Sequence, residues 1–174
     1  MYDYEERENK MTIESHYSKI FNVGEEKYRI RIVARGLIME GSKFLVCKNS
    51  TNTFLPGGHL EFGDNLKHTL KKEILEELGL ECIIDKYIGC VDCIWKEKDI
   101  FQQQVDHIFL VKGINSKTTI VSKEKHITFY WIDINDMEKE TFGPRSSRDI
   151  IKNFYNGLNE IQYFSENQLK NPLV

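Results

Sequence analysis

The stretch GGHLEFGDNLKHTLKKEILEELGL, from Gly57 to Leu80, restricts what this chain can be more than any other part of it. A glycine-rich loop runs straight into an acidic helix. Gly57, Gly58 and Gly63 let the backbone come close to a ligand or an ion, and glycine tolerates the positive φ that other residues resist. Asp64 is placed to cap the first helical turn by accepting a backbone N–H, and Gly79 suits the left-handed position that ends a helix. Between them Leu66, Leu70, Ile74 and Leu78 recur every four residues, which makes one buried stripe.

Glu73, Glu76 and Glu77 fall at i, i+3 and i+4, so their carboxylates share roughly a third of the helix circumference. Like charges at this spacing destabilise an isolated helix by about 0.2–0.5 kcal/mol per pair. Either water screens them, as on any solvated acidic face, or a cation offsets them. Hard divalent cations take oxygen ligands, and Mg²⁺ commonly uses one or two carboxylates together with substrate phosphates. The glycine loop directly ahead is what separates this acidic run from an ordinary charged face.

The stretch resembles the signature box of the Nudix hydrolases, G-x5-E-x7-R-E-U-x-E-E-x-G-U with U aliphatic. Gly58 opens the box, and Glu73, Ile74, Glu76, Glu77, Gly79 and Leu80 fall in register, with Pro56 and Gly57 extending the match upstream. Two positions depart: Asp64 stands where the family has Glu, and Lys72 where it has Arg. The resemblance implies an α/β/α sandwich, a mixed β-sheet flanked by helices, and hydrolysis of a pyrophosphate bond. It also implies Mg²⁺, or Mn²⁺ in its place, held by Glu73, Glu76 and Glu77, with the Gly57 carbonyl as a backbone ligand. One of the three glutamates would also accept the proton of the attacking water. Glu124 is the candidate for an acid supplied from outside the box; its alternative is a solvated loop residue. In the family the arginine before the first box glutamate steadies that carboxylate. Lys72 carries the charge without the planar fork.

A chain of 174 residues, 40% hydrophobic and 29% charged, has room for one sizeable core. One domain is expected over 27–165, with an N-terminal arm or short helix over 1–26 and a tail over 166–174. A formal net charge of -3 gives no basic footprint, which argues against a nucleic-acid polymer as partner. The partner expected is a small-molecule, nucleotide-type substrate. No apolar run reaches the roughly 18 residues of a membrane span, and MYDYEERENK lacks the apolar core of a signal peptide. The cytoplasm is the default, and the oligomeric state stays open between monomer and homodimer. Cys90 and Cys93 form one CxxC, but residues three apart on a strand point to opposite faces. Cys47, Cys82, Cys90 and Cys93 are therefore read as reduced structural residues.

Along the chain, Tyr28, Ile30 and Ile32 alternate with Arg29 and Arg31 and lead into an apolar run through Ile38, the pattern of a strand entering a core. Lys43 to Lys48 and Thr53 to Leu55 follow as strands. Leu80 to Trp95, with a bulge at Gly89, pairs through a turn at Lys96 to Asp99 with Phe101 to Val111 as a long hairpin. Residues 113–126 form a loop, Ile127 to Asp133 a strand, and a helical turn follows near Asp136. Ser146 with Asp149 three residues on resembles a capping box. Ile150, Ile151, Phe154, Tyr155, Leu158 and Ile161 supply one helical face, so the chain is expected to end on a helix.

Weaker signals concern the substrate. Trp95 and Phe142 are candidates to stack on a base, or else core and rim aromatics. Arg145 is a candidate phosphate clamp, or else a charge at a helix start. Arg35, with Arg29 and Arg31, lines the strand entering the site, and one of the three is a candidate phosphate contact. His59 and His68 read as surface residues. The reaction expected is Mg²⁺-dependent hydrolysis of a nucleoside diphosphate linked to another group, with nucleoside triphosphates favoured by chain size. The alternatives are an ADP-sugar or dinucleoside polyphosphate hydrolase and a non-catalytic nucleotide-binding sensor, the latter left open by Asp64 and Lys72.

Overall fold

The computed structural model describes residues 20–120, 122–123 and 126–169. In chain order the elements are β1 (Ile20–Val23), β2 (Glu26–Glu40), β3 (Lys43–Lys48), β4 (Thr53–Phe54), β5 (Gly57–His59), α1 (Leu66–Leu78), β6 (Ile83–Glu97), β7 (Ile100–Lys112), β8 (Thr128–Asp133), a 3₁₀ turn (Ile134–Lys139), α2 (Ser147–Tyr155) and β9 (Gln162–Asn167). The long strands run in the order β4-β3-β2-β7-β6-β9, with β1 and β5 paired to β2 and β8 paired to β3. Pairing is parallel for β2 with β7 and β6 with β9, and antiparallel for the β6–β7 hairpin. This is the mixed sheet expected.

Two apolar cores lie on its two sides. Leu70, Ile74 and Leu78 of α1 pack on Ala34, Ile38, Leu45, Phe109 and Val111, so the four-residue stripe seats the acidic helix on one face. Ile150 and Ile151 of α2 pack on Leu37, Phe44, Val46, Ile88 and Ile108. The result is an α/β/α sandwich. Gly36 lies under this packing: a Cβ there would sit 2.9 Å from Val111 Cγ2 and 3.4 Å from Ile74 Cδ1.

The alternation of β2 is present, with the arginine side turned towards the cleft and the first two isoleucines left at the surface. Ile30 and Ile32 are 52% and 42% exposed, whereas Arg29, Arg31 and Arg35 are half-buried on the opposite side. The apolar packing against α1 begins only at Ala34, so the first half of that face meets water, while the arginine side floors a polar cleft.

Other boundaries shift for local reasons. The cap of α1 is Asn65, whose side chain accepts from His68 N, and Asp64 instead accepts from the Asn65 N–H. Gly79 closes α1 as expected, at φ 72 with its N–H bonded to Leu75 O. Ser146 makes no side-chain cap; its N–H and hydroxyl both donate to Glu166 Oε2, at 3.0 and 3.2 Å. Helix α2 stops at Tyr155, before Asn156 and Gly157, and leaves Leu158 and Ile161 exposed. The chain then returns as β9, not as more helix. The bulge at Gly89 is present, where a Cβ would overlap the Gln162 carbonyl of β9. Cys90 lies opposite His107 and Cys93 opposite Gln104, on opposite faces, and all four cysteines are free.

Candidate active site

The site is built where β5 is laid against β2. Gly57 and Gly58 pair with Arg35 and Ala34, and the fit leaves no room for side chains. At Gly57, φ 134, a Cβ would overlap the Ala34 carbonyl; at Gly58 it would overlap the Glu73 carboxylate. The helix glutamate and the loop glycine are thus in direct apposition, which explains why a backbone without a Cβ precedes the acidic helix.

Glu73, Glu76 and Glu77 all line one cleft with Gly57 and Gly58. Glu76 is exposed, whereas Glu77 is 6% exposed, and the backbone carbonyl of Glu77 accepts from Lys123 N at 3.1 Å. Among the described residues no three acidic, histidine or cysteine side chains converge as a preformed cage. The donors are nonetheless hard oxygens beside an open cleft, and the cradle at Gly58 admits a carboxylate and nothing bulkier. Such a set fits a small divalent cation that takes one or two carboxylates and completes its shell with water and phosphate. Lys72 reaches Glu61, Nζ to Oε1 at 3.3 Å, and so ties the helix to the loop ahead of it.

The other sequence candidates are dispersed over this cleft. Arg35 donates through Nη1 to the Gly57 carbonyl at 3.0 Å and the Leu55 carbonyl at 3.2 Å, and its Nε lies 3.6 Å from Asp106 Oδ2. It also stands 5.0 Å over the Phe54 ring. It holds the glycine loop in place while lining the cleft. The Gly57 carbonyl, expected to face a metal, accepts from Arg35. Trp95 lines the cleft with the Arg31 guanidinium 5.1 Å above its ring. Phe142 borders the cleft but is 4% exposed and packs against Phe44, the core alternative of the two. Arg145 is exposed at the cleft mouth, with its carbonyl accepting from Arg148 N. Glu124 lies outside the described residues.

The NUDIX domain family model matches residues 29–154. The chain belongs to the NUDIX family. An 8-oxo-dGTP diphosphatase from Buchnera aphidicola subsp. Schizaphis graminum is 26% identical over 122 residues, 67% of this chain and 86% of that protein. An ADP-ribose pyrophosphatase from Methanocaldococcus jannaschii is 25% identical over 138 residues, 74% of this chain and 78% of that protein. Among solved structures, the MutT protein from Bacillus halodurans superposes with a TM-score of 0.61 at 14% identity, covering 79% of this chain and 89% of that one. This last likeness is one of fold.

This Nudix hydrolase also carries a polar row beside the site that the sequence pattern did not single out, of which Gln104 lines the cleft. Gln102, Gln104 and Asp106 of β7 are buried in a row, opposite Arg29, Arg31 and Val33. Gln104 donates to Asp106 at 2.7 Å. Burial pushes the Asp106 carboxyl up, against the Arg35 guanidinium and the Gln104 amide that favour its charged form. The signal lay in the period-two spacing of these polar residues inside a strand due to be central. Polar residues in a strand ordinarily mark the solvent face.

His59, read as a surface residue, is instead half-buried in the cleft. Burial, reinforced by the positive charges of Arg35, Arg31 and Arg29, pushes its imidazole down from 6.5 to about 4. At neutral pH it is uncharged in both folded and unfolded chains. Below pH 6.5 the unfolded chain takes the proton first, so stability is lost as pH falls from 6.5 towards about 4. Urea titrations at pH 7 and 4.5 should show His59→Gln losing about 2–3 kcal/mol less than wild type over that interval. Parallel losses in the two proteins would refute this account of His59.

Proposed function

We propose that this Nudix hydrolase cleaves the pyrophosphate bond of a nucleoside diphosphate linked to another group, with Mg²⁺ as cofactor. The observation that carries the reading is the Glu73 carboxylate seated on the Gly58 backbone, with Glu76 and Glu77 in the same cleft. When bound there, a divalent cation would neutralise phosphate charge and make water more acidic. Glu73, Glu76 and Glu77 are the residues to hold it. Glu76, the exposed member, is the one placed to take the proton of the attacking water, and Arg35 keeps the loop beneath the diphosphate in place. The names of the two relatives, an 8-oxo-dGTP diphosphatase and an ADP-ribose pyrophosphatase, support this class of substrate.

Nucleoside triphosphates head the panel on chain size. The cleft supports the second reading, an ADP-sugar or dinucleoside polyphosphate: its volume of about 1650 Å³ exceeds the roughly 300–1,000 Å³ of ordinary small-molecule pockets. Phosphate or pyrophosphate release should be followed over a panel of triphosphates, nucleotide sugars and dinucleoside polyphosphates, with Mg²⁺, with Mn²⁺ and with EDTA. Release from at least one member in Mg²⁺ and none in EDTA is the expected outcome. Tight binding without turnover on every member would turn the reading into that of a sensor.

Lys72 gives a further test. Lysine supplies charge but not the bidentate fork of arginine, and here it spans from the helix to Glu61 of the loop. Lys72→Arg should keep or raise kcat. Lys72→Ala should lower kcat more than it raises KM, because it loosens the positioning of the neighbouring Glu73 without removing a substrate contact. Equal, purely KM-based effects in both variants would contradict a positioning role.

A further inference from the structure

We propose that the part of the cleft lined by Arg31 and Trp95 is a second anion site, where Arg31, backed by Trp95 and with Arg29 beyond it on the same strand face, takes a phosphoryl group on the part of the substrate remote from the scissile diphosphate. The inference rests on the hydrolase reading above and narrows its substrate class to pyrophosphates charged at both ends.

The spacing comes from β2. Residues 29, 31 and 35 share one face of the strand, and a rise of about 3.3 Å per residue sets Arg31 roughly 13 Å and Arg29 roughly 20 Å along the strand from Arg35. Arg35 is committed to the Leu55 and Gly57 carbonyls, to Asp106 and to Phe54. The other two arginines are not. Among the described residues no carboxylate comes within ion-pair distance of Arg29 or Arg31, which is what separates them from Arg35; the Nε of all three is buried without a hydrogen-bond acceptor. The acids nearby are engaged or remote: Asp106 serves Arg35 and Gln104, and Glu166 holds Ser146 and Gln168. Glu97 stands exposed at the rim.

Stacking decides what kind of ligand fits. Arg31 lies 5.1 Å over the Trp95 ring, so this face of the indole is occupied and offers nothing to a base. A guanidinium seated over an aromatic ring keeps N–H groups that can donate to a phosphate. A buried N–H donor with no acceptor is unfavourable unless a ligand supplies one. The cleft volume of about 1650 Å³ leaves space for a substrate reaching from the glutamates to this part of it.

The test uses three ligands: ADP-ribose, its monophosphate ester on the adenosine ribose, and its monophosphate ester on the terminal ribose. Affinity is measured by calorimetry with Ca²⁺ in place of Mg²⁺, and turnover separately in Mg²⁺, for wild type, Arg31→Gln, Arg31→Lys and Arg29→Gln, each checked by thermal melting. Wild type should favour one ester over ADP-ribose by roughly tenfold or more in affinity and in kcat/KM. That ratio should fall towards one in Arg31→Gln and be partly kept in Arg31→Lys. No preference for either ester in wild type overturns the anion site, as does a preference that survives in both Arg31→Gln and Arg29→Gln. An Arg31-dependent preference in affinity with no turnover of any ligand keeps the anion site and overturns the hydrolase reading instead.

Discussion

Glu77→Gln should lose on the order of a hundredfold to a thousandfold in kcat, with little change in melting temperature. The residue is 6% exposed, so its side chain is held in a confined position beside the cleft. Glutamine preserves shape and removes charge. Groups that stabilise developing charge at this range are worth that much when deleted singly. Glu76→Gln, at an exposed position on the same helical face, should lose at least as much if Glu76 also takes the proton of water. Excess EDTA should reduce wild type to the level of the variants. Undiminished turnover in both variants, or full activity in EDTA, would end the metal-site reading.

The two loop glycines should fail in different ways. A Cβ at position 58 meets the Glu73 carboxylate, the movable end of a flexible side chain, which must shift by about 1 Å to regain ordinary contact. Gly58→Ala should therefore fold and melt nearly as wild type does, yet lose about a hundredfold in rate, since misplacement of this size costs that much. At position 57 the obstacle is backbone: the Ala34 carbonyl, with φ at 134. A side chain there is strained by about 1–3 kcal/mol from the dihedral alone, before β5 is pushed off β2. Gly57→Ala should lower the melting temperature first and activity as a consequence. If Gly58→Ala retained full activity, the apposition of loop and helix would be incidental.

What the sequence disclosed followed from how local the information is. Glycine spacing and the i, i+3, i+4 glutamates describe one loop and one helix, so α1, its buried stripe and its stop at Gly79 were legible. The hairpin of β6 and β7 was legible for the same reason. The faces of β2 were legible only in part: the arginines were read as lining the site, but alternation alone does not say that Ile30 and Ile32 stay at the surface, and a buried polar cleft looks like solvent to a hydrophobicity pattern. Gln102, Gln104 and Asp106 were passed over on the same ground. Helix α2 was drawn too long because Leu158 and Ile161 continue a helical spacing that Asn156 and Gly157 interrupt. Phe142 shows the limit for a lone aromatic: whether it faces ligand or core depends on packing against Phe44, a contact between residues distant in sequence.

The alternation of β2 makes strand alignment a determinant of chemistry. A slide of one residue against β7 would carry Arg29, Arg31 and Arg35 to the outer surface and bring Ile30, Ile32 and Ala34 over the cleft, since the side-chain period of a strand is two. The cleft would exchange its cations for methyl groups with hardly a change in composition or hydrogen-bond number. Two constraints oppose that slide: twelve matched positions shared with β7, from Lys27 opposite Ile100 to Ile38 opposite Val111, and the glycine pair that fits β2 only at Ala34 and Arg35. The loop that cradles Glu73 is therefore also the latch that keeps the arginines on the cleft side.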